Sequence, residues 1–308
     1  MSTQESTQKP TSKEGILDRI VADKRVALEV VKATKPLQLL KEELASEQTL
    51  LKNFPFELAL RQPKNTHLIA EIKPSSPSAG VLQAEINLDA ILEAYNDYAS
   101  AISVLTDAPY FGGSFERLAE VSRRSPRPTL CKDFVIDEYM VYQARLAGAA
   151  AVLLIVKILD DTALKSLYDC IHALGMTPVV EVQNEDELQR ALAIGTSVLL
   201  INNRNLSTFE VDLATTTRLA QVLVSSLQKP SLPPPGWGFS SRCPLGSTDE
   251  DVRRDGGESP LIISASGIEK RADIEVLLPS TNCFLIGSSL MKQANENLSS
   301  AMKSLMGN

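Results

Sequence analysis

From residue 65 onward the chain alternates, eight times over, a short apolar run with a longer segment of helical periodicity. The runs are His67–Ile72, Ala101–Leu105, Thr129–Lys132, Ala151–Val156, Thr177–Val182, Ser197–Ile201, Leu261–Ser264 and Asn282–Ile286. Between them lie segments such as Ile136–Leu146, Ala163–Leu174 and Glu185–Ile194, whose apolar residues recur every three to four positions. Strands that alternate with helices pair in parallel and are covered by those helices. Eight units in about 240 residues suit a closed (β/α)8 barrel, the TIM barrel of the α/β class. An open doubly wound sheet is the competing arrangement, but no glycine fingerprint follows the first strand.

Two segments fall outside the repeat. Gly15–Leu50 has helical spacing (Ile16, Ile20, Val26, Leu28, Val31) and predicts an N-terminal helical extension over 14–64, ahead of the first strand. Gln228–Pro260 holds six prolines and five glycines among 33 residues, a composition that neither helix nor strand tolerates. It reads as a flexible insertion before the seventh strand, at the end of the barrel away from a usual active site. The polar stretch 1–13 reads as a disordered tail, and 14–308 as a single barrel domain.

Composition narrows the chemistry. A net charge of −7 and a pI near 5.1 argue against nucleic acid and against an acidic membrane surface, both of which call for a basic face. No apolar run approaches the roughly 20 residues of a membrane span. Cys131, Cys170, Cys243 and Cys283 are widely spaced with no CxxC pair, which fits a reduced, cytoplasmic setting. The two histidines, His67 and His172, have no second ligand at metal spacing, so no metal site is expected. Chemistry must then come from Lys, Glu, Asp and Arg.

Barrel enzymes carry that chemistry on inward-facing residues at the carboxyl ends of the strands. Side chains two apart on a strand share a face. Glu71 and Lys73 therefore point inward at the first strand, with Ala70 and Ile72 toward the helices. Lys132 ends the third strand, Glu181 the fifth and Asn202 the sixth. Buried Lys and Glu are unfavourable unless paired, so two lysines and two glutamates with an amide at one mouth require a reason. Ser266-Gly267 and Gly287-Ser288 follow the seventh and eighth strands, each leading into a helix, where backbone N–H groups can approach a phosphate.

These residues sit in motifs that resemble the indole-3-glycerol-phosphate synthase family. They are Ile69–Gly80 (IAEIKPSSPSAG), Ser103–Asp107 (SVLTD) with Phe111–Ser114 (FGGS), and Cys131–Glu138 (CKDFVIDE). Leu153–Lys157 (LLIVK), Pro178–Val182 (PVVEV), Ile201–Leu206 (INNRNL) and Leu285–Leu290 (LIGSSL) continue the series in order. The resemblance runs from Gly15 to about Ala294, apart from the insertion.

It implies a cofactor-free lyase of tryptophan biosynthesis. The phosphorylated small-molecule substrate would be 1-(o-carboxyphenylamino)-1-deoxyribulose 5-phosphate, closed to indole-3-glycerol phosphate with loss of carbon dioxide and water. Carried over, Lys132 would be the general acid and Glu181 the general base, while Lys73 would hold the carboxylate and serve as a second acid. Glu71 and Asn202 would orient these groups. Ser76, Ser266, Gly267, Gly287 and Ser288 would grip the phosphate. Phe111, Phe134, Leu153 and Leu206 would line the aromatic pocket, with Arg204 beside it. A monomer, or weak association with other tryptophan-pathway enzymes, is expected.

One residue departs from the pattern. The family carries glutamate where this chain has Ala265. Two other readings therefore fit the same residues: a phosphate-binding barrel with lost or altered activity, and a Schiff-base aldolase built on a strand-end lysine.

Overall fold

The computed structural model describes residues 15–46, 54–77, 80–83, 85–227, 259–294 and 297–307. The expected tail at 1–13 and nearly all of the expected insertion at 228–260, with Trp237 and Cys243, lie outside them.

The eight barrel strands, in chain order, are His67–Ile72, Ala101–Leu105, Thr129–Lys132, Ala151–Ile155, Thr177–Val182, Val198–Asn202, Leu261–Ala265 and Cys283–Ile286. All are parallel, each pairs with its sequence neighbour, and the first pairs with the last to close the barrel. Four strands have the expected bounds, and the other four differ by one residue at one or both ends, where ladders fray.

Strand alternation sorts the apolar side chains into two cores. Leu68, Ala70 and Ile72 of the first strand, Val152 and Leu154 of the fourth, and Val180 and Val182 of the fifth pack outward against the helices. Ile69, Leu130, Leu153, Val179, Leu200, Ile263 and Leu285 fill the barrel interior. Near-continuous apolar strands are what a sheet covered on both faces requires. No described helix is long and apolar enough to cross a membrane.

The N-terminal extension reaches from the mouth of the barrel to its base. A helix at Ile16–Thr34 is followed, after Pro36, by one at Leu37–Ser46, and a third at Pro55–Arg61 leads to the first strand. Phe56 and Leu60 of the third helix are buried in the interior core. Glu57 beside them accepts a hydrogen bond from the Ser197 hydroxyl at the foot of the sixth strand, 3.0 Å away.

The first helix buries only part of the apolar face that the sequence suggests. Leu17, Ile20 and Leu28 are buried, whereas Val26, Val30 and Val31 are exposed. The buried stripe is completed by a lysine. Lys24 reaches Asp107 at 2.8 Å and Asp133 at 2.7 Å, and both carboxylates are almost wholly buried. Asp107 follows the second strand and also accepts the Tyr110 N–H, while Asp133 follows Lys132 and also accepts the Thr106 hydroxyl and the Phe134 N–H. The Tyr110 hydroxyl donates to Asp23 on the same helix. Burial alone would lower the Lys24 pKa, but the Asp133 and Asp107 carboxylates outweigh it and hold it above 10.5.

Removing Lys24 leaves two buried carboxylates without their cation. Lys24→Met should destabilise the fold by about 3 kcal/mol at pH 7, read as a lowered urea midpoint. Because the folded pKa is raised, this contribution is fully present below pH 10.5 and is lost as pH climbs through the raised value. A variant with the parent's urea midpoint at neutral pH would show that the clamp contributes nothing.

Candidate active site

The carboxyl ends of the strands surround one cavity. Of the fifteen residues expected to form a site, fourteen line it: Glu71, Lys73, Ser76, Phe111, Lys132, Phe134, Glu181, Asn202, Arg204, Leu206, Ser266, Gly267, Gly287 and Ser288. Leu153 does not. It is level with Val179, one inward layer below Glu181, and it is wholly buried in the interior core. Ile155, two residues on and paired with Glu181, takes its place in the wall.

Two lysine–carboxylate pairs occupy the floor. Lys73 Nζ lies 2.6 Å from Glu71 Oε1. Burial would raise the Glu71 pKa, but the charges of Lys73 and Lys132 and the hydrogen bond from Lys73 hold the carboxyl below its usual range. Glu181 Oε1 accepts from Asn202 Nδ2 at 2.8 Å. Its other oxygen has no hydrogen-bond donor among the described residues, and Lys132 Nζ stands off at 3.7 Å. A buried carboxylate with one unused oxygen, beside a lysine not fully committed to it, is suited to taking up a proton from a bound molecule. The Asn202 amide is fixed in turn, because its Oδ1 accepts the Arg204 N–H at 3.0 Å.

Phe111 and Phe134 form an aromatic wall, with ring centroids 5.8 Å apart and planes at 41°. Phe111 belongs to the short helix Ala108–Phe111, capped by Asp107, and Phe134 follows Asp133, so the Lys24 clamp also sets this wall. Cys131, although next to Lys132 in sequence, faces the helical layer, and burial pushes its thiol up to about 12. Ser76 comes from a feature not foreseen in the sequence, a small antiparallel hairpin pairing Ser75–Ser76 with Gly80–Val81.

The two turns expected to bind phosphate differ from each other. Gly287 leads directly into the short helix Ser288–Met291. After Gly267 the helix begins only at Arg271, and Asp273 Oδ2 takes the N–H groups of Glu269 and Lys270. Both turns lead into a helix as expected, directly at the eighth strand and after three intervening residues at the seventh. Ser266 and Gly267 instead adopt consecutive left-handed conformations, φ +70° and +80°. A side chain at 267 would meet Val211 Cγ1 at 2.3 Å.

Ala265 lies between Asn202 and Leu285 in the strand register and presents only a methyl group to the cavity. Sequence reasoning missed Asp133, Leu105, Ile155 and Phe209 in the cavity wall and Lys24 behind it. Acidic residues one or two positions after strand ends, Asp133 and Asp107, are the signal that could have pointed to the clamp. Among the described residues no His, Cys, Asp and Glu side chains converge in a group that could hold a metal ion.

Gly287 gives the floor a direct test. A methyl group there would sit 2.2 Å from Glu71 Oε1 and 2.9 Å from its Cδ, so Glu71 would have to leave Lys73. Gly287→Ala is expected to destabilise by about 2 kcal/mol in urea unfolding. Parental stability would mean that the Glu71 carboxylate has other room.

Comparison with known proteins bears on the family of the chain and on its fold. The family model described as indole-3-glycerol phosphate synthase matches residues 17–229. The "Tryptophan biosynthesis protein TrpCF" of Haemophilus influenzae is 36% identical over 306 residues, 99% of this chain and 57% of that protein. The chain thus spans little more than half the length of such relatives. The "Indole-3-glycerol phosphate synthase" of Lachnospira eligens is 38% identical over 226 residues, covering 73% of this chain and 74% of that one. Among solved structures, a mutant tryptophan synthase alpha-subunit from Pyrococcus furiosus superposes with a TM-score of 0.51 at 14% identity, over 79% of this chain and 98% of that one. This last likeness concerns the barrel fold alone. The two lysine–carboxylate pairs at the strand ends, the family match over most of the chain and the relatives' identities together establish that the chain belongs to the indole-3-glycerol phosphate synthase family.

Proposed function

We propose that this protein closes the indole ring of 1-(o-carboxyphenylamino)-1-deoxyribulose 5-phosphate, releasing carbon dioxide, water and indole-3-glycerol phosphate. The observation that carries the reading is the convergence of Lys73, Glu71, Lys132 and Glu181 on one mouth, beside an aromatic wall and two glycine turns. Each part of the substrate has a chemical counterpart there: lysine for the carboxylate, Phe111 and Phe134 for the ring, and backbone-rich turns for the phosphate.

In this reading the aryl carbon bearing the carboxylate attacks the ketone carbon while the Lys132 ammonium gives a proton to the ketone oxygen. The bond between ring and carboxylate then breaks, and its electron pair restores the aromatic ring as carbon dioxide leaves. The new hydroxyl departs as water with a proton from Lys73, and Glu181 Oε2, the oxygen without a hydrogen-bond donor among the described residues, takes a proton from the closed ring. Lys73 first holds the benzoate carboxylate, an attraction that has to weaken as neutral carbon dioxide forms. Glu71 and Asn202 keep Lys73 and Glu181 in place. Ser76, Ser266, Gly267, Gly287 and Ser288 grip the phosphate. Phe111, Phe134 and Leu206, with Ile155 instead of Leu153, enclose the ring, and Arg204 borders it. The same reading takes the protein to act in the cytoplasm, alone or in weak association with other enzymes of tryptophan biosynthesis.

The test is a fluorescence assay for the indole product with purified protein, no added metal or cofactor, and a chelator present. Turnover is expected, and it would show that Ala265 is compatible with the reaction. Tight substrate binding without turnover would overturn the proposal in favour of a phosphate-binding barrel. Lys132→Ala should lower kcat by about 10²–10⁴-fold with little change in substrate affinity, since the acid acts in the transition state. A loss confined to KM would make Lys132 a binding group instead.

A further inference from the structure

Asn202 and Asn203 are adjacent but point to opposite sides of the sixth strand. Asn202 lines the cavity, whereas Asn203 does not and is only 2% exposed. A buried amide has two N–H donors and an oxygen with two lone pairs to satisfy. Asn203 uses all of them. Its Nδ2 donates to Ser266 O at 3.1 Å and to Ser264 Oγ at 3.0 Å. Its Oδ1 accepts from the Thr216 N–H at 3.2 Å and the Thr216 hydroxyl at 2.8 Å. Its backbone N–H donates to Ala265 O, and its carbonyl accepts from the Asp212 N–H, both at 2.9 Å. One side chain thus ties the end of the seventh strand to the start of the helix Ala214–Leu227.

The bond to Ser266 O is the consequential one. Ser266 is a non-glycine residue at φ +70°, a conformation that persists only where the surroundings enforce it. In a planar trans peptide the C=O and the following N–H point in opposite directions. Holding Ser266 O in the barrel wall therefore turns the Gly267 N–H away from that wall. Gly267 lines the cavity, and its N–H has no acceptor among the described residues. The space on its other side is filled by Val211 and Leu213, which would clash with any Cβ.

We propose that Asn203 is a positioning residue for phosphate binding: by anchoring the Ser266 carbonyl, it presents the Gly267 N–H to the phosphate of the substrate. This rests on the function proposed above. Asn203 touches no substrate itself and acts through the Ser266–Gly267 peptide. Thr216 belongs to the same bracket but contacts Asn203 from the opposite side, away from the turn. The two residues thus separate a role in the turn from a role in general stability.

The experiment is calorimetric titration of the purified protein with inorganic phosphate, with KM, kcat and anthranilate affinity measured in parallel. In Asn203→Ala, phosphate affinity should fall and KM rise by about tenfold, the size of one lost charged hydrogen bond. Anthranilate affinity and kcat should stay within about threefold of the parent. Thr216→Val should leave phosphate affinity and KM within about twofold even where it lowers the melting temperature equally. If Asn203→Ala does not fold, Asn203→Ser carries the same expectation. Unchanged phosphate affinity in the Asn203 variants, or equal losses in the Thr216 variant, would overturn the positioning role. A parent protein that turns over the substrate yet shows those results refutes this inference alone. A parent that neither binds phosphate nor turns over refutes the functional reading, and this inference with it.

Discussion

Closure of the parallel ladder is the constraint on which the rest of this protein depends. His67–Ala70 pairs with Cys283–Ile286 on one side, and Ile69–Ile72 pairs with Ala101–Val104 on the other. A closed sheet has no unpaired edge, so its strand ends hold fixed positions around a ring. Parallel pairing then brings every carboxyl end to the same side. Glu71, Lys132, Glu181 and Asn202 meet because their strands have no other way to close, although residues 71 and 202 are far apart in the chain. The Glu71–Gly287 contact is part of the same closure, since a carboxylate from the first strand occupies the space that a side chain just past the eighth would need.

The two lysine–carboxylate pairs of the mouth differ in a way that bears on proton transfer. Two lysines face two glutamates, but the pairs are unequally tight, 2.6 Å for Lys73–Glu71 and 3.7 Å for Lys132–Glu181. Behind them Lys24 neutralises part of the charge of Asp107, two residues past the cavity-lining Leu105, and of Asp133, which lines the cavity itself. The N-terminal helix is therefore more than a cover. It supplies the cation that lets two carboxylates stay buried beside Lys132 and Phe134, and through Asp107 it anchors the helix carrying Phe111. An isolated barrel without that helix would carry uncompensated negative charge next to its active-site wall.

The anion-binding side is built from backbone geometry instead of charge. Ser266 and Gly267 hold left-handed conformations that the Asn203 bracket and the Val211–Leu213 packing enforce, and Gly287 opens a short helix directly. Ala265, next to this turn, contributes no charge, so the polar chemistry of the mouth is concentrated on the first, third, fifth and sixth strands. The apolar groups Ala265 and Leu285 form the opposite wall.

By itself the sequence determined the barrel, the strand bounds to within one residue, and the inward direction of Glu71, Lys73, Lys132, Glu181 and Asn202. Those features follow from local periodicities, two for a strand and 3.6 for a helix, which any short window displays. Ser266, Gly267, Gly287 and Ser288 were legible for the same reason, as turn residues at strand ends, and the family motifs supplied Phe111, Phe134, Arg204 and Leu206. The tertiary structure alone decided the rest. Whether Leu153 or Ile155 reaches the cavity depends on the stagger between the fourth and fifth strands, which neither strand encodes separately. Of the helix residues at apolar spacing, Ile20 and Leu28 are buried and Val26 and Val31 are not, a choice made only when Asp107 and Asp133 are brought against Lys24. Asn203 looks like a duplicate of Asn202 until its amide finds Ser266 and Thr216. In each case the deciding interaction joins segments distant in the chain, and its energy exists only once the barrel has closed.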